Sequence, residues 1–319
     1  MKRLVILVIS GASFLVLLYF ISQSKNFTPA PPQQQPIGNE NIIEDENADD
    51  LYESNDAIEK ESYEEAFLVT DTPTEVTQGS EEPIKGPKPI PKGMVRFEIT
   101  DGDWAVTQGD VLLGRINKLG SQQIFKPKKT LLWPNNVIPV AISQSLPDKT
   151  KIQEALAYFN ENTSVQFVNY TGEEENYLVF TRTEEELCLS YLGMQGGAQP
   201  IRLNLNCSVQ NIMHELMHAL GFVHEHSRQD REDFLTVNWD NIPEKFWIQF
   251  EIVPSHLVHP YTGSVFNFTH NSIMIYPDTA FQKDSHSKTL ISKTSESIVK
   301  PDFGLSEIDI ERIFYLYGK

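Results

Sequence analysis

The chain from Trp133 onward predicts an α+β fold, because short stretches of strand type are interleaved with amphipathic helices. A first helix is predicted in DKTKIQEALAYFNEN (148–162), with Asp148 as its N-cap. Strands are predicted in the apolar segments 164–170, 177–180 and 201–205. The buried face of the helix is expected to consist of Ile152, Ala155, Leu156 and Phe159.

The chain ends in a second amphipathic pattern, LSEIDIERIFYLYG (305–318). Ser306 and Asp309 have the spacing of a capping box, which predicts where this helix begins. Four apolar residues at helical spacing form the predicted buried stripe, namely Ile310, Ile313, Phe314 and Tyr317.

The N-terminus has the pattern of an export signal. Lys2 and Arg3 precede an uncharged run over residues 4–24. The basic flank and the apolar length predict a signal peptide or a signal anchor over residues 1–25, rather than a buried core helix. No small-x-small cleavage site follows, and about 20 apolar residues span a bilayer, so residues 4–21 are a candidate membrane anchor. In either case we expect the rest of the chain outside the cytoplasm, secreted or membrane-anchored.

The formal net charge of −18 comes mainly from one segment. Between Glu40 and Glu82, sixteen Asp and Glu residues stand against the single Lys60, so this segment carries −15 and the remainder −3. Together with the flanking Pro-rich stretches, this composition predicts a disordered tether over residues 26–93. The acidity excludes nucleic acid as an expected partner, because phosphate binding needs clustered Lys and Arg.

Four of the eight histidines fall within thirteen positions. SVQNIMHELMHALG predicts a helix that is capped by Ser208 and ended by Gly221. His214 and His218 are four residues apart, so both imidazoles project from one face and suit nitrogens at about 2.0–2.1 Å from one zinc ion. Glu215 is rotated off that face, and we expect it to act as a general base on water beside the metal.

A catalytic zinc site needs three protein ligands and one position for water. Gly221 tolerates the positive φ of a sharp turn, after which His224 can return to the metal. The complete HExxHxxGxxH pattern over residues 214–224 is far more specific than HExxH alone, whose histidines are often satisfied by carbonyls. It predicts one catalytic Zn²⁺ ion. A non-catalytic zinc-containing surface module, such as an adhesin, is the alternative from another class.

The segment HELMHALGFVHEHSRQDRED, with Glu225 directly after the third histidine, resembles the signature of the astacins, a branch of the metzincin zinc endopeptidases. NSIMIYPDTAF (271–281) resembles the Met-turn of that family. The resemblance covers about residues 130–317 and implies a two-lobed metzincin catalytic domain over 129–319. Its N-lobe would hold a twisted mixed sheet and the zinc-binding helix, and its C-lobe would be mostly irregular with a C-terminal helix.

The same resemblance implies roles for individual residues. Tyr276 would bind the metal and then move to stabilise the oxyanion at the scissile carbonyl, and Met274 would lie beneath the zinc ligands. Glu225 would pair with the α-amino group of the processed N-terminus. Ile275 stands where the family commonly has histidine, a departure that affects only fine geometry or substrate contacts.

Cys188 and Cys207 are the two cysteines of the chain. The resemblance implies that they form the disulfide that flanks the substrate-side edge strand, while the second family disulfide is missing. Such a bridge agrees with export into an oxidising compartment. Two buried free thiols are the alternative.

DWAVTQGDVLLG (103–114) resembles the family's propeptide stretch that ends in Gly-Asp. In the family that aspartate, here Asp110, takes the place of water on the zinc, so the resemblance implies a latent zymogen with a propeptide over 94–128. The family's phenylalanine at the start of the motif is absent here, and a surface turn is the alternative interpretation. An activating protease is expected to cleave between Gly120 and Thr130, where three lysines offer sites.

The resemblance further implies protein or peptide substrates. We expect them to bind in extended form, antiparallel to an edge strand formed by AQPIRLNL (198–205). Many family members favour an acidic residue just after the cleaved bond. Lys300, in VKPDFG, is the candidate residue for lining that pocket.

Overall fold

The computed structural model describes residues 86–115, 123–258 and 262–318. The predicted signal segment, the tether up to residue 85 and part of the expected cleavage region lie outside these residues. Among the helices that the structure describes, none is long and apolar enough to cross a membrane.

A nine-stranded mixed sheet is the centre of the fold, with the strand order β4-β1-β2-β3-β8-β9-β7-β5-β6. Four of its strands come from the predicted propeptide region and five from the region after it. The strands are β1 Val95–Thr100, β2 Trp104–Thr107, β3 Val111–Arg115, β4 Gln123–Phe125, β5 Val137–Ile142, β6 Gln166–Asn169, β7 Tyr177–Arg182, β8 Cys188–Tyr191 and β9 Ala198–Leu203.

Strand β3 joins the two parts of the sheet by pairing in parallel with β8, where Val111 lies opposite Ser190. Strand β8 pairs antiparallel with β9, and β9 pairs in parallel with β7. The expectation that 198–205 forms the edge strand is therefore wrong, because β9 lies between two neighbours. Among the described strands after residue 128, β8 is the one that pairs with the predicted propeptide region.

In the described part of the chain, three α-helices accompany the sheet: α1 Thr150–Asn162, α2 Val209–Ala219 and α3 Glu307–Tyr317. Helix α1 buries the predicted face of Ile152, Ala155, Leu156 and Phe159 and packs against α2. Its N-cap is Lys149 rather than Asp148, because the helix begins one residue later than predicted. The Asp148 carboxylate still accepts a hydrogen bond from Thr150 N at 2.9 Å.

Helix α3 has the predicted capping box between Ser306 and Asp309. Its buried stripe differs from the prediction, since Phe314 is 51% exposed and Arg312 is 2% exposed. Arg312 is buried because its guanidinium forms an ion pair with the buried carboxylate of Glu225.

The region after α2 is mostly irregular, as the fold class predicts. Strands β10 (Leu235–Val237) and β11 (Leu290–Ser292) form a small antiparallel pair. The 3₁₀ helices are Glu225–Ser227, Arg231–Asp233, Trp239–Asn241, Glu244–Phe250, Ser255–Val258 and Ser264–Phe266. An apolar cluster holds this region together, and it includes Leu235, Ile242, Phe250, Ile275 and Leu290.

Candidate metal centre

Three histidines and one carboxylate converge in the interior. Helix α2 supplies His214 and His218, and the chain after it supplies His224. The Asp110 carboxylate lies 3.4, 3.4 and 3.2 Å from their Nε2 atoms, respectively. All four ligand atoms lie within 4.8 Å of one another. This is the size of site that one metal ion fills.

The turn that brings His224 back depends on Gly221. Its φ is +98°, a conformation that side-chain-bearing residues rarely adopt. A Cβ atom at this position would also lie 3.2 Å from Leu132 Cδ2 and 3.3 Å from Thr130 Cγ2. The glycine therefore allows both the turn and the close packing of the N-terminal segment of this domain.

Backbone carbonyls orient two of the imidazoles. His214 Nδ1 donates to Ile273 O at 3.0 Å, and His218 Nδ1 donates to Phe222 O at 2.7 Å. Since a carbonyl only accepts, each Nδ1 carries the proton and each Nε2 presents its lone pair to the site. This is the tautomer that binds a metal through Nε2.

The donor set fits zinc. His214 Nε2 and His224 Nε2 lie 3.0 Å apart, and the buried His218 Nε2 and Asp110 Oδ1 make no hydrogen bond within the described residues. The unpartnered lone pairs of His218 Nε2 and Asp110 Oδ1 would be stabilised by a cation between them. Three imidazole nitrogens and one carboxylate oxygen are ligand types that zinc binds, usually in sets of four.

Burial keeps the histidines in the ligand form. It lowers the pKa of His214 to about 3, an effect that Asp110 offsets only in part. Burial likewise lowers the pKa of His224. Both imidazoles are therefore neutral near pH 7, as metal binding requires.

Glu215 lies beside the four ligand atoms without belonging to them. Its side chain is 2% exposed, and its Oε2 has no hydrogen-bond partner in the described part of the chain. Burial raises the pKa of this carboxyl well above its usual range, and the negative charge of Asp110 raises it further. Such a carboxyl binds a proton readily.

Tyr276 lies beside His224. Its ring centroid is 4.8 Å from that of His224 and 3.9 Å from that of His226, on which it stacks. Its hydroxyl donates to Gln108 O at 2.7 Å. In this structure the tyrosine is thus bound to the segment that carries Asp110.

The turn that contains Met274 is fixed by helix α3. The Asp309 carboxylate accepts hydrogen bonds from Ser272 Oγ at 2.5 Å and from Ile273 N at 2.8 Å. Met274 is 1% exposed, and its carbonyl accepts a hydrogen bond from Glu225 N at 2.9 Å. The capping-box spacing predicted Asp309 as a helix cap, but it gave no sign of this second role.

Glu225 is buried in a cluster of cations. Its carboxylate pairs with Arg312 and, at 3.3 Å, with Arg228 Nη1. It also accepts a hydrogen bond from Thr269 N at 3.3 Å. Nothing in the sequence pattern identified Arg312 as a partner, because a basic residue within an amphipathic helix is usually solvated.

Three further predicted residues have clear positions. Cys188 and Cys207 form the predicted disulfide, which links β8 to the loop before α2. Lys300 is partly buried, and burial lowers the pKa of its ammonium group, while the carboxylates of Asp110 and Glu215 counteract this effect. Lys300 therefore acts electrostatically on the metal centre.

The segment that carries Asp110 is held on both sides of that residue. Ser190 N, on β8, donates to Asp110 O at 3.0 Å. Gly109 has φ +88°, and a Cβ there would lie 2.5 Å from Gln249 Oε1 and 3.4 Å from the Tyr276 hydroxyl. Only glycine fits this narrow passage.

The comparisons with known proteins agree with this geometry. The sequence model of the astacin family, described as Astacin (Peptidase family M12A), matches residues 125–318. The chain belongs to the astacin family. One zinc ion is accordingly the cofactor of the site.

Individual relatives are similar over the same region. The zinc metalloproteinase nas-14 of Caenorhabditis elegans is 35% identical over 190 residues, which are 58% of this chain and 37% of that protein. The zinc metalloproteinase nas-4 of the same organism is 35% identical over 239 residues, which are 70% of this chain and 72% of that protein. The chain thus spans little more than a third of the first relative.

A solved structure resembles the fold as well. It is the high choriolytic enzyme 1, a hatching enzyme zinc-protease from Oryzias latipes, with a TM-score of 0.51 and 29% identity. The match covers 60% of this chain and 94% of that protein. The similarity therefore extends over nearly the whole solved structure.

Proposed function

We propose that this chain is a zinc-dependent endopeptidase that is synthesised in a latent form. The observation that carries the proposal is the convergence of three imidazoles beside a buried carboxyl, Glu215, whose Oε2 has no hydrogen-bond partner in the described part. Structural zinc sites usually close with four permanent protein ligands and need no such carboxyl. This difference disfavours the adhesin-like alternative.

Each residue of the site then has a defined task. His214, His218 and His224 hold the zinc, which when bound supplies Lewis-acid polarisation of the scissile carbonyl and of water. Glu215 takes a proton from the attacking water at its carboxylate and passes it to the leaving amine. Burial raises the pKa of its carboxyl without help from Asp110, and this suits the exchange because the proton must be held between the two steps.

Tyr276 would donate a hydrogen bond to the oxyanion that forms at the scissile carbonyl. Its hydroxyl already donates to a backbone carbonyl, Gln108 O, in the turn between β2 and β3. Removal of that chain would free the donor for a substrate. Met274 has a structural task, since its buried side chain supports the turn that positions Tyr276.

Asp110 would be the latency switch, with residues 94–128 as the propeptide and 129–319 as the catalytic domain. Three observations support this role: the carboxylate lies among the three Nε2 atoms, Ser190 N fixes its backbone, and Gly109 allows its approach. Strand β3 runs parallel to β8. A substrate would bind antiparallel to β8, which becomes the edge strand once the propeptide is removed. Strand β3 runs in the opposite direction to such a substrate, so the propeptide would block the cleft without presenting a cleavable bond.

Activation would require a protease that cuts between Gly120 and Thr130. Lys126, Lys128 and Lys129 are exposed, and this exposure supports cleavage by a protease with basic specificity. The new α-amino group would then bind near Glu225, whose carboxylate is now shared by Arg228 and Arg312.

Substrates would be proteins or peptides, with an acidic residue favoured just after the cleaved bond. The partly buried ammonium group of Lys300 supports this preference, because its charge acts on the carboxylates of the site.

Export by residues 1–25, either as a cleaved signal or as an anchor, would place the enzyme outside the cytoplasm. The Cys188–Cys207 disulfide agrees with that location.

Digestion of casein by the processed, zinc-loaded chain tests the proposal. We expect cleavage products, about one zinc ion per chain, and loss of activity on addition of a chelator that zinc restores. A protein that binds stoichiometric zinc and cleaves nothing would instead support the non-catalytic surface module. Absence of bound zinc would contradict both.

A further inference from the structure

Gln249 and Glu251 present three acceptor oxygens to the propeptide region, and we name these two residues the acceptor patch. They lie at the end of the 3₁₀ helix Glu244–Phe250. The oxygens are Gln249 Oε1, the backbone carbonyl oxygen of Glu251 and Oε1 of the Glu251 carboxylate. Neither residue belongs to the metal centre.

The propeptide region covers each of these oxygens. Arg96 of β1 forms an ion pair with the Glu251 carboxylate. Gln108 Nε2 donates to Glu251 O at 3.0 Å. Gly109 packs against Gln249 Oε1, a buried atom that has no hydrogen-bond partner in the part of the chain that the structure describes.

The Glu251 carboxylate depends on Arg96 for its counter-charge. The carboxylate is 13% exposed, and its burial raises the pKa of the group, which Arg96 counteracts. Arg231 is the other cation that acts on it, but the Arg231 guanidinium bonds to Glu232, His226 O and Phe250 O. Loss of Arg96 would therefore leave a largely buried carboxylate without an ion-pair partner among the described residues, a state that attracts a cation.

The acceptor patch borders the reaction site. Gly109, which directly precedes Asp110, lies between Gln249 and the Tyr276 hydroxyl. Gln108 bonds to Glu251 through its side chain and to Tyr276 through its carbonyl. Gln108, which contacts Glu251, and Asp110, which lies at the metal centre, are two positions apart in the turn between β2 and β3, so their Cα atoms are at most about 7 Å apart.

We propose that, after the propeptide is removed, Gln249 and Glu251 form a substrate subsite for a basic side chain about two residues from the cleaved bond. The proposal rests on the proposed peptidase function and adds a substrate class to it. Arginine is preferred over lysine, because the planar guanidinium directs five N–H donors at the carboxylate, the carbonyl and the amide oxygen together. The site takes the same chemical group that Arg96 now supplies.

Matched peptides test the subsite on the full chain after processing and zinc loading. The two peptides of a pair differ at one position only, two residues before or after the cleaved bond. One peptide has arginine there and the other has its uncharged isostere citrulline. We expect kcat/KM for the arginine peptide to exceed that for the citrulline peptide roughly tenfold at one of these positions, as for one charge-assisted hydrogen bond. Glu251→Gln should abolish this ratio, and Glu251→Asp, which keeps the charge, should retain it.

Glu161→Gln, on the exposed face of α1, is the matched control and should keep the ratio of the unaltered enzyme. A ratio near one in the unaltered enzyme overturns the subsite whatever the variants do. A high ratio that survives Glu251→Gln also overturns it, because another residue must then recognise the charge. If the unaltered enzyme cleaves no peptide at all, the proposed function fails instead.

Discussion

Arg312 of the C-terminal helix forms an ion pair with Glu225, 87 positions earlier in the chain, and both side chains are 2% exposed. The pair joins α3 to the segment that directly follows the third histidine. Arg312 also donates to Val265 O at 3.1 Å and to Asn267 O at 2.8 Å. A single side chain thus fixes the C-terminal helix against the part of the domain that carries the metal centre.

Arg312→Met should destabilise the domain, because the buried Glu225 carboxylate loses its principal partner. We expect a loss of about 3–5 kcal/mol in the free energy of unfolding, the usual effect of removing one side of a buried pair. Urea denaturation measures it. Glu311→Gln, on the exposed face of the same helix, should change stability little. If Arg312→Met and Glu311→Gln lower the free energy of unfolding by the same amount, the ion pair between Arg312 and Glu225 has no special role in stability.

Glu215→Gln should lower kcat by about 10²–10⁴-fold, since the amide cannot accept the proton of the attacking water. Zinc content should stay at about one ion per chain, because this carboxyl is not among the ligands. Peptide kinetics and metal analysis of the processed chain measure both quantities. Glu154→Gln, exposed on α1, is the control. Near-normal turnover of the Glu215 variant would remove the residue from this role.

Asp110→Asn should make the unprocessed chain active, because an uncharged amide is a poorer zinc ligand than a carboxylate. We expect a gain of roughly 100-fold in peptide cleavage over the unaltered, unprocessed chain, equivalent to about 2.7 kcal/mol of lost binding. Asp103→Asn is the matched control in the same segment, where Asp103 pairs with Arg115 at 3.0 Å away from the metal centre. If both variants stay latent, Asp110 is not the switch.

Tyr276→Phe should lower kcat by about 10²–10³-fold, the effect of losing one oxyanion donor. KM should change little, because the hydrogen bond forms mainly in the transition state. Tyr315→Phe is the control, since that hydroxyl lies on the exposed side of α3, 3.4 Å from Thr262 Oγ1. A change in KM alone would indicate that Tyr276 binds the substrate uniformly and does not stabilise the oxyanion.

The metal-free chain should lose stability as the pH falls below about 6.5, the ordinary pKa of histidine. Burial lowers the pKa of His214 to about 3 in the folded state, so between these values the unfolded chain binds a proton that the folded chain rejects. The stabilisation is therefore complete above pH 6.5 and decreases progressively towards pH 3. Urea midpoints measured in a chelator from pH 8 to pH 4 test this, with His214→Gln expected to flatten the profile and the exposed His286→Gln to leave it unchanged.

The sequence determined the local parts of the site. Helical periodicity places His214 and His218 on one face, and the positive φ that Gly221 tolerates returns His224 to them. The capping box of α3 is likewise a matter of three-residue spacing, and it was predicted at Ser306 and Asp309. These features follow from short-range geometry, which a sequence pattern records directly.

The tertiary structure decided which distant groups meet. Strand propensity predicted β9 but not the strands beside it. Strand β9 was therefore predicted as the edge strand, whereas β8 lies one strand further out and pairs with β3. Helical periodicity predicted that Phe314 is buried. In the structure Arg312 is buried instead, because its guanidinium pairs with the Glu225 carboxylate. The contact of Tyr276 with Gln108 spans 168 positions. Pairing, burial of charge and long-range contact depend on the packing of the whole domain, and no local pattern of residues encodes them.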